Sequence, residues 1–139
     1  MNPIIYTASI GVRYGDLDPY GHVNSAVYLD YIISSRWIFL EKRFGLSAHD
    51  IISKGVAFFL VNANIDFLRE LRGTQMVDVS SYVSRLESSE LDVSFTIYRQ
   101  DKKIASSGTL RFTIMDLRNM TRQSLPQSLI ELFFEQEKD

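Results

Sequence analysis

Two aspartates, Asp16 and Asp18, lie in a loop marked by glycine and proline, directly before the longest apolar helical pattern of the sequence. The start of a helix supplies unpaired backbone N–H groups and a positive dipole end, and both favour an anion or a developing oxyanion. A carboxylate beside such a helix start can act as a base or a nucleophile toward the group that the N–H donors polarise. The stretch from residue 13 to residue 31 is therefore the predicted site of chemistry.

One strand and one long helix must position this loop. Residues 4–14 alternate between apolar and polar side chains, which predicts a half-buried strand that runs into the loop. Asn24 is a favoured N-cap residue, and the apolar spacing after it predicts a helix over 25–44, which Gly45 ends. Apolar residues cover much of the circumference of this helix, so we expect a sheet to wrap around it.

The second half of the sequence is dominated by strand patterns. A short helix is expected first, over 47–54, with Ser47 and Asp50 in capping-box spacing. Strands with period-two alternation follow at about 59–67, 75–86, 91–98 and 104–115. The alternation is blurred near 80–82, where we expect a β-bulge. Short turns between the strands imply antiparallel hairpins, and a final helix is expected over about 126–137.

Composition narrows the class of protein. The chain has 139 residues, of which 45% are hydrophobic, and its helices and strands are segregated, which predicts a single α+β domain over 1–139. The net charge of −2 comes without a basic block, so no nucleic-acid partner is expected. Cysteine is absent, which excludes disulfides and thiolate chemistry. We see neither a membrane span nor a secretory signal and expect a cytoplasmic protein.

The loop and the helix start read D-L-D-P-Y-G-H-V-N-S-A-V-Y from Asp16 to Tyr28. This segment resembles the signature D-x-D-x-x-G-H-V-N-x-x-x-Y of the hotdog-fold acyl-CoA thioesterases, in the branch similar to 4-hydroxybenzoyl-CoA thioesterase. The likeness continues in I-D-F-L-R-E-L-R-G-T at 65–74 and in G-T-L-R-F-T-I-M-D at 108–116. It covers roughly residues 4 to 120, and three blocks in the correct order are more specific for the fold than for the substrate.

The resemblance implies a curled antiparallel sheet wrapped around one long central helix, and an enzyme that hydrolyses a thioester of coenzyme A or of acyl carrier protein. Asp18 matches the catalytic carboxylate, as base or nucleophile, and backbone N–H groups near Asn24–Ser25 would bind the oxyanion. A thiol has a pKa of about 8.5, so the thiolate leaves readily and needs little acid assistance. No metal and no cofactor are expected, with coenzyme A entering only as part of the substrate.

The other residues of the signature keep more than one interpretation. The substrate- or oxyanion-binding set that the resemblance implies is Gly21, His22, Asn24, Ser25 and Tyr28. His22 either orients Asp18, contacts the substrate or is a hydrogen-bonded structural residue, and Tyr28 is more typical of packing. Asp16 is expected to support the loop, and Asp18 alone would simply cap the turn before Pro19. His49 has no evident partner and is expected at the surface.

Assembly and substrate contacts are further expectations. A curled antiparallel sheet leaves edges that a second copy can cover, so we expect a homodimer, and relatives often pair further into a homotetramer. The polar residues Asn62, Asn64 and Asp66 either form a solvated face or line the pocket of a partner. The basic residues that could contact coenzyme A phosphates are Arg69, Arg72, Arg85, Lys102 and Lys103.

Two other functions stay open at this point. A hotdog hydratase or dehydratase would act on the β-carbon of the acyl group, but the sequence lacks an obvious second pair of acid and histidine. A non-catalytic module that binds an acyl or aromatic ligand would keep the fold, although the retained Asp18 and the segment 21–24 argue against it.

Overall fold

The computed structural model describes residues 2–136, in which one long helix packs against an antiparallel sheet. The elements in chain order are β1 (Asn2–Pro3), β2 (Tyr6–Gly11), a 3₁₀ turn (Tyr14–Asp16), α1 (Ser25–Phe44), α2 (Ala48–Ile52), β3 (Val56–Phe67), β4 (Met76–Glu87), β5 (Glu90–Tyr98), β6 (Ile104–Asp116), β7 (Thr121–Arg122), α3 (Gln127–Ile130) and β8 (Phe134–Glu135). The segregated α+β arrangement that the sequence predicts is confirmed.

The main sheet has the strand order β2-β4-β5-β6-β3, with the short β7 added beside the end of β6. All its pairings are antiparallel. The N-terminal strand of the prediction therefore joins the sheet beside β4, and β3 lies at the opposite edge. Helix α1 packs on the sheet through β2 and β4.

Helix α1 has the bounds that the sequence predicts, because both of its ends are set by local signals. The Asn24 side chain accepts a hydrogen bond from the Ala26 amide at 3.0 Å, which caps the first turn. Gly45 adopts a φ of 67°, the left-handed conformation that ends a helix and that glycine adopts without strain. The buried side chains of α1 are Tyr28, Tyr31, Ile32, Ser35, Phe39 and Leu40.

The core is divided into two clusters along α1. One surrounds the N-terminal half of the helix and includes Tyr31, Ile32 and Leu71, none of which is more than 2% exposed. The other surrounds the C-terminal half, with Phe39 and Ile114 at its centre. The first cluster anchors the loop that precedes α1, so it is the part of the core that positions the predicted site.

The predicted C-terminal helix over 126–137 is wrong beyond its first turn. Only Gln127–Ile130 is helical, and Phe134–Glu135 then pairs with Asn2–Pro3, while residue 137 lies outside the described range. The Ile4 amide donates to the Phe133 carbonyl at 2.9 Å, and the side chains at 132–134 are buried. Burying three adjacent apolar side chains and pairing with the N-terminal strand outweigh the local helical pattern.

Two smaller predictions also need correction. The bulge expected near 80–82 lies instead at Ser84, where the register with β5 shifts between Val83 and Arg85. The extra residue places Arg85 against Asp92, with 3.7 Å between Nη1 and Oδ2. The first strand ends at Gly11 rather than at residue 14, because the chain turns into the 3₁₀ segment.

The short second helix has the predicted capping box but spans Ala48–Ile52 rather than 47–54. Asp50 N donates to Ser47 Oγ at 3.2 Å, and Ser47 N donates to Asp50 Oδ2 at 2.7 Å. None of the helices in residues 2–136 is long and apolar enough to cross a membrane.

Candidate active site

The Asp18 carboxylate is held at one oxygen and open at the other. Its Oδ1 accepts hydrogen bonds from the amides of Tyr20 at 2.8 Å and His22 at 3.0 Å. The turn is tight because Gly21, with a φ of 79°, lets its amide reach the Asp18 carbonyl at 3.0 Å. No described residue donates a hydrogen bond to Oδ2. Asp18 therefore caps the turn and still presents a free carboxylate oxygen.

The half-buried Asp18 lines a surface cavity of about 340 Å³. Ser25 and Tyr28 from the first turn of α1 and the segment from Phe67 to Glu70 also line it. Asp18 and the first turn of a helix thus border one volume.

The start of α1 leaves one amide free for an oxyanion. The Asn24 amide donates to the Asp16 carbonyl at 2.9 Å, so the expectation that it binds an oxyanion is wrong. The Ala26 amide, two residues further on, donates to the Asn24 side chain. Between them, the Ser25 amide has no acceptor among the described residues, and Ser25 borders the cavity. Of the two amides predicted to bind an oxyanion, only that of Ser25 is left without an acceptor, and its role stays a prediction.

Asp16 ties the loop to α1, which agrees with the supporting role expected for it. The side chain is 4% exposed, and its Oδ2 accepts a hydrogen bond from the Tyr31 hydroxyl at 2.7 Å and one from the Arg13 amide at 2.9 Å. The guanidinium of Arg13 donates to Oδ1 at 3.0 Å. Burial acts to raise the pKa of Asp16, but the hydrogen bonds from Arg13 and Tyr31 outweigh it and lower that pKa.

Tyr31 was not singled out from the sequence, although it helps to position the loop. Its hydroxyl is buried beside the Asp16 carboxylate, and burial together with that hydrogen bond raises the pKa of Tyr31. The residue therefore stays a hydrogen-bond donor at neutral pH. Its place at the end of the segment 13–31 was visible, but the pairing with Asp16 depends on how the loop folds back onto the helix.

His22 is linked to Glu70 rather than to the Asp18 side chain. Its Nε2 lies 3.1 Å from Glu70 Oε2, and Glu70 also accepts from Arg72 Nε at 2.9 Å. The backbone is fastened at the same place, because the Gly73 amide donates to the Gly21 carbonyl at 2.9 Å. The His22 side chain has a hydrogen-bonded structural partner, and only its backbone contacts Asp18: the amide donates to Asp18 Oδ1, and the carbonyl accepts from the Asp18 amide at 2.7 Å. His22 also borders the cavity, so a contact with the substrate stays a prediction. Sequence reasoning missed Glu70, although it lies in the second block of the resemblance.

Tyr28 packs into the wall of the cavity. It is 3% exposed, and its ring meets the edge of Phe67 with the centroids 5.0 Å apart. Burial, with a smaller contribution from the charge of Glu70, raises the pKa of Tyr28, so the phenol is neutral at physiological pH. The structure supports the packing interpretation of this residue.

Other candidates lie away from the cavity. His49 is exposed on α2, as expected. Asn62, Asn64 and Asp66 are exposed on the edge strand β3. In residues 2–136, no group of three or more histidine, aspartate or glutamate side chains is placed to hold a metal ion.

Comparison with known proteins identifies the family. The sequence pattern of the thioesterase-like superfamily matches residues 12–133. The chain belongs to this superfamily. The long-chain acyl-CoA thioesterase FadM of Escherichia coli (strain K12) is 29% identical over 126 residues, which are 88% of this chain and 92% of that protein. The resemblance on which the sequence analysis relied is thus confirmed, as is the prediction of a thioesterase-family enzyme.

Solved structures of other thioesterase-like proteins have the same fold. YbaW, a probable thioesterase from Escherichia coli, is 26% identical with a TM-score of 0.77, and the match covers 91% of this chain and 94% of that one. Slr0204, a 1,4-dihydroxy-2-naphthoyl-CoA thioesterase from Synechocystis, is 21% identical with a TM-score of 0.82, covering 92% and 94%. The predicted hotdog fold of this superfamily member is confirmed.

Proposed function

We propose that this member of the superfamily hydrolyses an acyl-CoA thioester to the free acid and coenzyme A. The observation that carries the proposal is that Asp18, whose Oδ2 accepts no hydrogen bond from a described residue, and Ser25, whose amide has no acceptor among them, border one cavity. The similarity to a long-chain acyl-CoA thioesterase supports coenzyme A as the carrier. Acyl carrier protein is the alternative carrier, and the same acyl group on both carriers would distinguish them.

The Ser25 amide and the Asp18 carboxylate have different roles in the proposed reaction. The thioester carbonyl oxygen accepts a hydrogen bond from the Ser25 amide, which stabilises the negative charge that develops on that oxygen. Asp18 either attacks the carbonyl carbon or removes a proton from the water that attacks it. The C–S bond then breaks, and the thiolate of coenzyme A leaves and takes up a proton. If Asp18 has attacked, water then hydrolyses the acyl–Asp18 anhydride and restores the carboxylate; if Asp18 acts as base, the attacking water has already supplied that oxygen. Water is consumed in either route, so the products are a carboxylic acid and a thiol.

The fixed oxygen of Asp18 matters for this chemistry. Two backbone amides orient Oδ1, so the free Oδ2 has one direction in which to act. A nucleophile or base that is held in place before the substrate arrives lowers the entropic cost of the reaction. The tie from Asp16 to Tyr31 extends this rigidity to the helix start.

Arg69 is the basic candidate that lies closest to the site by position. It borders the cavity, and its Nη1 donates to the Ile104 carbonyl at 2.8 Å, which restrains the guanidinium. The guanidinium of Arg72, by contrast, is paired with the Glu70 carboxylate. We therefore assign a phosphate of coenzyme A to Arg69 first.

A second copy of the chain would complete the site. Strand β3 is the edge of the sheet, and it exposes Val61 by 56% and Phe67 by 53%. An unpaired apolar edge of this length is a place where another strand adds. Since Phe67 also borders the cavity, a partner that pairs with β3 would lie next to the substrate. A homodimer is the assembly that we propose, and the expected homotetramer would join two such dimers through surfaces other than this edge.

The oxyanion role can be tested by removing a single hydrogen. Ser25→Pro deletes the amide proton at the first helical position, which proline occupies without cost, and the ψ of 132° at Asn24 suits a residue before proline. Ser25→Ala is the matched control, because it keeps the amide. We expect Ser25→Pro to lower kcat about 10²–10³-fold and Ser25→Ala to change it little. Binding of coenzyme A is measured in parallel, since a proline ring that only blocks the cavity would weaken binding instead.

A further inference from the structure

A second cavity lies along the other half of α1. Its volume is about 190 Å³, and it opens between the helix and the strands β3, β5 and β6. None of the predicted site residues borders it. Arg36 is eleven positions after Ser25, which places it about 16 Å further along the helix at 1.5 Å per residue. The apolar side chains that line it include Ile33, Trp37, Leu40, Phe58, Leu60 and Phe133.

One charged group, the guanidinium of Arg36, lies in this apolar lining. Its Nη1 donates to Ser81 Oγ at 3.3 Å, but its Nη2 is buried and has no hydrogen-bond partner among residues 2–136. No described carboxylate lies within salt-bridge distance of it. The guanidinium carbon is instead 4.8 Å from the centre of the Phe39 ring and 5.8 Å from that of Phe133.

Burying the charged guanidinium of Arg36 in this apolar environment costs free energy. Burial lowers the pKa of Arg36 to about 10, which still leaves the side chain positively charged at neutral pH. Stacking on the two rings offsets part of the loss of hydration. A buried cation with an unused donor nevertheless lacks the counter-charge that normally accompanies one.

We propose that this cavity binds a carboxylic acid with an apolar tail, and that the carboxylate supplies the missing counter-charge to the guanidinium of Arg36, which borders the cavity. The tail packs against the apolar lining. A simple inorganic anion would leave that lining uncovered. A neutral alkyl group would fill the cavity and leave the guanidinium without a counter-charge. The volume holds roughly six groups of about 30 Å³ each, so a buried tail of about six carbons is expected, a length that octanoate supplies.

The proposal does not rest on the proposed hydrolysis, because binding can be measured without turnover. A free acid is also the product of that reaction, so the site would let product binding influence the helix that starts at the active site. Failure of either proposal leaves the other standing. An enzyme without this site would hydrolyse normally, and an inactive protein could still bind the acid.

Trp37 provides the measurement, since it is the only tryptophan of the chain and lines this cavity. We would titrate octanoate against its fluorescence at pH 7.5, with octanamide as a neutral ligand of the same shape. The wild type is expected to bind octanoate at least tenfold more tightly than octanamide. Arg36→Met should remove this preference by weakening octanoate at least tenfold while leaving octanamide within threefold.

Arg43→Met is the matched control. Arg43 is an exposed arginine on the same helix that also lies over an aromatic ring, 5.8 Å from the centre of Phe44. The Arg43→Met variant should bind octanoate and octanamide with the same affinities as the wild type. Arg36→Lys keeps the charge and should keep a preference for octanoate, which covers the case in which the methionine variant does not fold. Equal binding of the two ligands by the wild type, no response of Trp37 to millimolar octanoate, or an unchanged preference in folded Arg36→Met would each overturn the proposal.

Discussion

Replacing Tyr31 by phenylalanine removes the hydroxyl that ties α1 to the loop carrying Asp18. The hydroxyl donates to Asp16 Oδ2 at 2.7 Å, and Tyr31 is 2% exposed. Phenylalanine keeps the ring and its packing, so the change isolates the hydrogen bond. Asp16 retains the hydrogen bonds from Arg13, which prevents the carboxylate from becoming wholly unpaired.

The expected loss follows from the kind of bond. Hydrogen bonds to charged groups contribute about 1.5–3 kcal/mol, and here the carboxylate keeps other donors, so we expect a loss of about 2 kcal/mol in the free energy of unfolding. For a chain of this size that corresponds to a decrease in Tm of roughly 5–10 °C. Because the same bond orders the loop that carries Asp18, hydrolysis should also fall.

The pH dependence of the stability loss tests whether it comes from the bond to the ionised Asp16. The pKa of Asp16 is lowered in the folded protein, so its hydrogen bonds contribute stability that is fully present above the unfolded pKa of about 3.9. That contribution is lost as the pH falls through the folded pKa. The stability difference between wild type and Tyr31→Phe should therefore be largest near neutral pH and should decrease below pH 4.

Urea unfolding followed by Trp37 fluorescence, at one protein concentration and at several pH values, measures this difference. Tyr82→Phe is the control, since Tyr82 is half-buried and its hydroxyl has no hydrogen bond to a described residue. A Tyr31→Phe variant within 0.5 kcal/mol of the wild type at pH 7 would refute the reasoning. So would a difference that does not decrease even at the lowest pH at which both proteins still fold.

The remaining predictions concern the sheet. Val61→Lys places a charge on the exposed edge of β3 and should shift the protein toward monomer in analytical ultracentrifugation. Ile5→Lys, at an exposed position off that edge, should leave the assembly unchanged. If Val61→Lys remains a dimer, the interface lies elsewhere. Gly108→Ala should destabilise the fold by about 3 kcal/mol, because its Cβ would lie 1.9 Å from the Asn64 carbonyl oxygen of the next strand. Gly15→Ala, with no atom near its Cβ, should change the unfolding free energy by less than about 0.5 kcal/mol, and similar losses for both would contradict the packing argument.

Local signals made part of the fold predictable from the sequence. The bounds of α1 follow from an N-cap at Asn24 and a left-handed glycine at Gly45, both of which act within one turn. The hairpins follow from period-two alternation and short turns. The C-terminal segment could not be predicted in this way, because its pairing with Asn2–Pro3 joins residues from opposite ends of the chain.

The site shows the same division. Asp18 could be chosen from the loop and the family signature, but the sequence could not show that the Asn24 amide is already engaged and that Ser25 is left. The tie between Asp16 and Tyr31 and the isolation of Arg36 depend on which side chains meet after folding. The sequence supplies the residue types, but only the folded structure shows which of their hydrogen-bonding groups are left without a partner.

The role of Asp18 is the central claim, and release of thiol from a panel of acyl-CoAs tests it most directly. The panel runs from short and aromatic to long-chain acyl groups, with wild type, Asp18→Asn and Asp30→Asn compared side by side. Asparagine keeps the oxygen that accepts from Tyr20 and His22, so the loop should remain folded, and Asp30→Asn makes the same change at an exposed position of α1.

We expect the wild type and Asp30→Asn to hydrolyse at least one class of acyl-CoA, and Asp18→Asn to be slower by about 10²–10⁴-fold. The order of rates across the panel would name the substrate class. A folded Asp18→Asn that hydrolyses within tenfold of the wild type would contradict the account, and Asp18 would then serve only to cap its turn.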